Sequence, residues 1–154
     1  MTPAISVTPY SIAARFLGLK EVAGHIHNAL IVGMMQCTDP SVHDDETPWC
    51  SGFVNYCCFL LGVTRSRSLA ARSWLRVGAP ITLEEASAGF DVVILSRGDN
   101  PPPASVIAAP GHVGFVSNYR ASAQQVTVLG GNQGDAVSLV SYPTARVLGV
   151  RRLL

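Results

Sequence analysis

The stretch Asp45-Glu-Thr-Pro-Trp-Cys50-Ser-Gly-Phe-Val-Asn-Tyr-Cys57 reads as a loop giving way to a buried helix with a cysteine at its opening. Pro48 interrupts any preceding regular structure and pushes Thr47 towards an extended conformation. Beyond it, Cys50, Phe53, Val54, Cys57 and Leu61 recur at three- and four-residue steps and share one helical face. Gly62 stands where a helix stop is expected. A thiol in the first turn faces N–H groups without intrahelical partners and the positive end of the helix dipole. Both favour thiolate, so this position is expected to lower the pKa of Cys50. The pattern is that of a nucleophile, and the chain should then hold a base.

Downstream the character changes near residue 90. Asp91–Leu95 is a short β-rich run, and Asp99-Asn-Pro-Pro-Pro103 must be a loop. Residues 112–117, 125–129, 136–141 and 145–151 read as four strands joined by short loops containing Asn118, Gly130-Gly131 and Pro143, which suits an antiparallel meander. Upstream, a first helix is expected over Ser11–Ala23, capped by Ser11 with a stripe of Ile12, Phe16, Leu19 and Val22. A short second helix is expected over Ala29–Met35. Residues 37–49 are loop-like, with the acidic Asp44-Asp45-Glu46 read as a solvated face. Ser68–Val77 is expected to be helical, closed by Gly78. Helices followed by strands define an α+β class, N-terminal helices packed on a C-terminal antiparallel sheet.

The chain has 154 residues, enough for one domain with a sizeable core. Hydrophobic residues make up 48% and charged ones 14%, a globular balance. A formal net charge of +1 gives no electrostatic case for nucleic acid or an anionic membrane surface. No apolar run approaches a membrane span, and residues 1–7 show no Sec-type signal. The cysteines are expected to be reduced, since Cys57 and Cys58 are adjacent and Cys37 stands alone.

Among four histidines, His112 opens a strand directly after Pro110-Gly111, a place from which an imidazole reaches a helix N-terminus. Asn132 follows Gly130-Gly131 at the end of the next strand, and its amide oxygen is placed to accept the second imidazole N–H. Cysteine, histidine and asparagine in that order, on helix, strand and next strand, point to papain-like thiol chemistry.

The blocks Thr47-Pro-Trp-Cys50-Ser-Gly-Phe-Val-Asn55, Ala71-Arg-Ser-Trp-Leu75, Gly111-His-Val-Gly-Phe115, Leu129-Gly-Gly-Asn-Gln133 and Arg146-Val-Leu-Gly-Val-Arg151 together resemble a family of small phage- and prophage-associated cell-wall hydrolases. That family lies within the CHAP- and NlpC-type papain-like cysteine peptidases. Leu17–Gly24 with Asn28 is similar to its N-terminal motif, so the resemblance spans nearly the whole chain. It implies one papain-like domain over 1–154 and a peptidoglycan hydrolase cutting an amide bond, either within the stem peptide or between N-acetylmuramic acid and L-alanine. It implies Cys50 as nucleophile, His112 as general base and acid, and Asn132, assisted by Gln133, as the residue orienting the histidine. Two positions depart from the pattern: Gly130 stands where CHAP-type enzymes usually carry glutamate, and Phe90 where a glycine commonly precedes Asp91.

In this reading the Cys50 backbone N–H supplies one oxyanion donor, and Trp49 and Trp74 are candidates for lining a substrate groove. No metal or cofactor is expected. The expected partner is peptidoglycan, with neither nucleic acid nor membrane, and the expected state is monomeric. The protein would be made in the cytoplasm and reach the periplasm or wall as a phage lysin, a virion-associated lysin or an exported antibacterial effector. Two rivals remain: a metal site built from His25, His27, Cys37 and His43, and a wall-binding module with an inactive site.

Overall fold

In the computed structural model, which describes residues 3–154, helices come first and a sheet follows. The helices are α1 (Pro9–Ala14), α2 (Ala29–Gln36) and α3 (Cys50–Leu60). The strands are β1 (Ala79–Ile81), β2 (Asp91–Ser96), β3 (Gly111–Arg120), β4 (Gln125–Gly130), β5 (Ser138–Pro143) and β6 (Val147–Arg152). All pairings are antiparallel, in the order β1-β6-β2-β3-β4-β5. The α+β class holds. Of the four strands expected to form a meander, β3, β4 and β5 do, but β6 leaves β5 and inserts between β1 and β2. No helix among the described residues is long and apolar enough to cross a membrane.

The position of β2 explains its composition. Every residue of it is buried, and its side chains alternate between two cores. Val92 and Ile94 join the helix-side core with Phe53, Val54, Val113 and Phe115. Val93 and Leu95 join Val116, Val126, Val128 and Val150 on the opposite face. A strand apolar on both sides has to be internal, and β6 supplies the neighbour that β3 alone does not.

The first helix is shorter than its apolar spacing predicts. It starts at Pro9, with Thr8 rather than Ser11 as its cap; Ser11 closes a reciprocal capping box with Thr8. It ends at Ala14. Gly18, at φ +91°, turns the chain, and Gly18, Leu19 and Glu21 then bond to the backbone of residues 135–137. Those inter-segment hydrogen bonds outcompete further helix, and Val22 is left exposed. The expected helix over 68–77 is a 3₁₀ turn, Ala71–Arg76, with Gly78 at φ +66° after it. Helix α3 follows its sequence pattern closely, with Gly62 left-handed at φ +64° just beyond its end.

Two buried charges organise the loops. The acidic loop is not merely solvated, because Asp45 is fully buried. It accepts hydrogen bonds from the Val22 and Asn28 backbone N–H groups, both at 2.8 Å, and from His27 Nδ1 at 3.0 Å. Burial opposes its charge, but these donors outweigh burial and hold its pKa down at about 2. Arg72, also fully buried, donates to the carbonyls of Pro102, Pro103, Val106 and Pro110 and so ties down the proline loop.

Asp45→Asn removes the charge that three donors address and should cost about 2–3 kcal/mol, lowering the thermal midpoint by roughly 5–10 °C. A pKa held below its unfolded value stabilises the fold above that value. The Asp45 contribution should therefore be complete near neutral pH and disappear as pH falls through 3.8 towards about 2. Melting curves of both proteins across that range check this: the difference between them should vanish at the acid end.

Candidate active site

Helix α3 begins at Cys50, and its N-cap residue Trp49 makes no side-chain capping hydrogen bond. No side chain therefore caps the N–H groups of the first turn, an arrangement open to an anion or a developing oxyanion. Helix α3 packs against β3, where the backbone N–H of Val113, the residue after His112, is near enough to Cys50 to favour its thiolate. The start of the helix and the start of the strand thus meet, as the chain order predicts.

His112 is 1% exposed. Its Nε2 donates to Gln133 Oε1 at 2.9 Å. The direction follows from the carboxamide: Gln133 Nε2 donates to the carbonyls of Ser138 at 2.7 Å and Val128 at 3.3 Å, leaving Oε1 as acceptor. That same Oε1 accepts from the Tyr142 hydroxyl at 3.0 Å. The imidazole is consequently the Nε2–H tautomer, with its lone pair on Nδ1. Arg97 Nη2 approaches that lone pair at 3.4 Å. Among the described residues no hydrogen bond joins Cys50 to His112.

The residue that orients the histidine is Gln133 rather than the expected Asn132. Asn132 takes a left-handed conformation, φ +58°, and lines the same cleft as His112 without bonding to it. Adjacent residues of the turn face different ways, and Gln133 is the one turned inward, with its backbone N–H on Ala136 O closing the turn. Gly130 leaves the space that Gln133 occupies. A Cβ there would stand 3.0 Å from Gln133 Oε1 and 3.2 Å from His112 Nε2, so a side chain at 130 would displace Gln133. Glycine at 130 and glutamine at 133 are therefore one arrangement.

Trp49 and Trp74 line no groove. They are 1% and 0% exposed. Trp49 packs edge-to-face on Phe53 beneath Gly131, and its indole N–H donates to Glu21 at 2.7 Å. Trp74 donates to Ser51 Oγ at 2.8 Å within the core. The rival metal set is not assembled either: His27 is committed to Asp45, and no group of three ligand-type side chains forms among the described residues.

Electrostatics corrects one further expectation. Burial pushes the Cys50 thiol up, outweighing the lowering by the Val113 N–H, by Arg97 and by the helix-start N–H groups. Burial likewise pushes His112 down to about 4; the Gln133 bond opposes this, and the positive charges of Arg97 and Arg146 add to it. The helix start favours thiolate, but removing the sulfur from water costs more. The resting pair is neutral thiol and neutral imidazole.

Access to the sulfur is through a cavity of about 320 Å³. Its walls include Pro48, Cys50, Ala70, Ala71 and Gly111, and Arg97 closes one side. A second cleft of about 400 Å³ is lined by His112, Asn132, Gln133, Tyr142 and Arg146, and Arg97 borders it too. No family model matches the chain, and no curated protein matches it in sequence.

Nitrogen-15 spectra of the His112 ring should report the Nε2–H tautomer in the wild type, with a pKa near 4. Gln133→Leu should lose the fixed tautomer and lower the pKa further, since the Gln133 bond is what raises it. Asn132→Ala should leave both unchanged.

Proposed function

We propose that this protein is a papain-like cysteine hydrolase that cuts an amide bond in bacterial peptidoglycan. The observation that carries the reading is the His112–Gln133 pair: a buried imidazole whose Nε2–H is held by a locked carboxamide, leaving the lone pair on Nδ1 free to act as a base. A structural histidine needs only one satisfied bond. Here the tautomer is fixed by three elements, β3, the turn after β4 and β5, and the basic nitrogen is left over.

In the reaction, Nδ1 takes the proton of Cys50 as the sulfur attacks the amide carbonyl, so thiolate forms in the transition state rather than at rest. The uncapped N–H groups at the start of α3, that of Cys50 first, stabilise the oxyanion. Imidazolium gives its proton to the departing amine; water, deprotonated by His112, then attacks the thioester, the acid leaves, and the imidazolium returns its proton to the expelled Cys50 sulfur. Gln133 follows the ring's charge by accepting from Nε2–H throughout. The residues perform this chemistry without a metal.

The substrate assignment rests on the five sequence blocks around Cys50, Arg72, His112, Gln133 and Arg146, each of which has a structural role here. Within it, the bond is one of the stem peptide or the N-acetylmuramoyl-L-alanine amide, and the setting is a phage or virion lysin or an exported effector. A second reading, a wall-binding module with an unreactive thiol, is favoured by one observation: Nδ1 faces Arg97, not the Cys50 sulfur.

Digestion of purified sacculi separates the two. Wild type should release soluble muropeptides, with Cys50→Ala and His112→Ala slowed at least about a thousandfold; equal clearance by wild type and Cys50→Ala sinks the thiol mechanism. Mass spectrometry of the newly exposed amine identifies the bond. Because the base form of His112 exists above a pKa of about 4, activity should fall on the acid side near pH 4 rather than near 6.5. An acid limb at 6.5 contradicts the buried resting state.

A further inference from the structure

Two guanidinium groups border the His112 cleft, and nothing in the mechanism above uses them. Arg146 is fixed: its Nε and Nη2 donate to Ser96 O at 3.1 and 2.8 Å, and its guanidinium lies over the Tyr142 ring, 5.0 Å from the centroid. Arg97 follows Ser96 directly in the chain, is exposed, and reaches across to His112 Nδ1. Among the described residues neither arginine pairs with a carboxylate; the ion pairs found lie elsewhere, at His27–Asp45 and Arg152–Asp91. The charges acting on His112 are those of Arg97 and Arg146, and those acting on Tyr142 are the same two arginines and Cys50. No carboxylate is among the side chains lining the cleft, which are Arg97, His112, Asn132, Gln133, Tyr142 and Arg146; the acidic neighbours in sequence, Asp99 and Asp135, lie in the adjoining loops and do not line it.

Such a cleft is poorly arranged for an imidazole that must become cationic. Protonating His112 would put three positive charges in one partly enclosed space. An incoming anion removes the conflict, and the fork geometry of guanidinium matches carboxylate and phosphate groups, of which the stem peptide of the proposed substrate offers carboxylates. We propose that Arg97 and Arg146 form a carboxylate-binding clamp at the mouth of the His112 cleft, holding an acidic group of the substrate beside the scissile amide. This rests on the hydrolase reading and names the substrate as anionic near the cut. It also gives Arg97 two positions: on Nδ1 in the free protein, and on the substrate carboxylate when bound, which frees Nδ1 for the Cys50 proton.

The test uses full-length Cys50→Ala protein and calorimetric titration with N-acetyl-L-alanyl-D-glutamate and with its uncharged diamide. The acid should bind at least about tenfold more tightly than the diamide, and Arg97→Gln or Arg146→Gln should each remove about tenfold of affinity for the acid alone. Arg146→Lys, which keeps the charge, should retain part of it and guards against a general loss of fold. Equal binding of acid and diamide, no binding of either at millimolar concentration, or acid binding unchanged in both arginine variants overturns the clamp. Sacculi whose carboxylates have been converted to amides with carbodiimide and ammonia separate this from the function itself. Wild type that digests native and amidated sacculi equally overturns the clamp and leaves the hydrolase standing. Wild type that digests neither, while the titration succeeds, overturns the hydrolase and leaves the clamp standing.

Discussion

The turn after β4 lies against the first turns of α3 so closely that no side chain fits between them: a Cβ at Gly131 would come within 2.6 Å of the Trp49 ring and 2.8 Å of Phe53 Cβ. That approach is what brings the helix and sheet halves of the site together. Since Gly131 can sit on Trp49 and Phe53, the next residues fold back and Gln133 enters the space that Gly130 leaves empty beside His112. Trp49 and Phe53 are in turn held by Phe16 and Glu21 from the N-terminal segment. Core packing and site geometry are therefore one problem here, and a methyl group in the wrong place would disturb both.

Within that frame, burial dominates the electrostatics. A helix terminus contributes on the order of 1 kcal/mol to a nearby charge, whereas enclosing a sulfur and an imidazole penalises their ionised forms by more. The result is a pair poised as neutral acid and neutral base, different from the preformed ion pair that a cysteine at a helix start leads one to expect. The surroundings are further biased against positive charge on the imidazole by two arginines.

Much of this was readable from sequence where the signal was local. Helix α3, its glycine stop and the buried strands announce themselves through periodicity, and Cys50 and His112 through their places at a helix start and a strand start. What was not readable depended on partners distant in the chain. The stripe Ile12, Phe16, Leu19, Val22 satisfied a helical template, yet residues 18–21 found better backbone partners in residues 135–137. Asn132 and Gln133 are chemically near-equivalent amides, and only the handedness of the turn decides which one faces inward. Asp45 and Arg72 look like surface charges until the loops that supply their hydrogen-bond partners are in place. Tryptophans near a cysteine at a helix start suggest a groove, but their ring size makes them the natural filling for the layer beneath it.

The insertion of β6 between β1 and β2 has a consequence for how the molecule comes together. Strands β2 to β5 can pair as each is made, but β2 then has one apolar edge without a neighbour until residues 147–152 arrive some fifty residues later in the chain. Such an edge is a template for other chains as well as for β6. Arg146, which precedes β6, is carried to Ser96 by the same step. Closing the sheet and completing the cationic rim of the cleft thus depend on the same segment, residues 146–152, and a chain with that segment undocked would have both an open sheet edge and an incomplete rim.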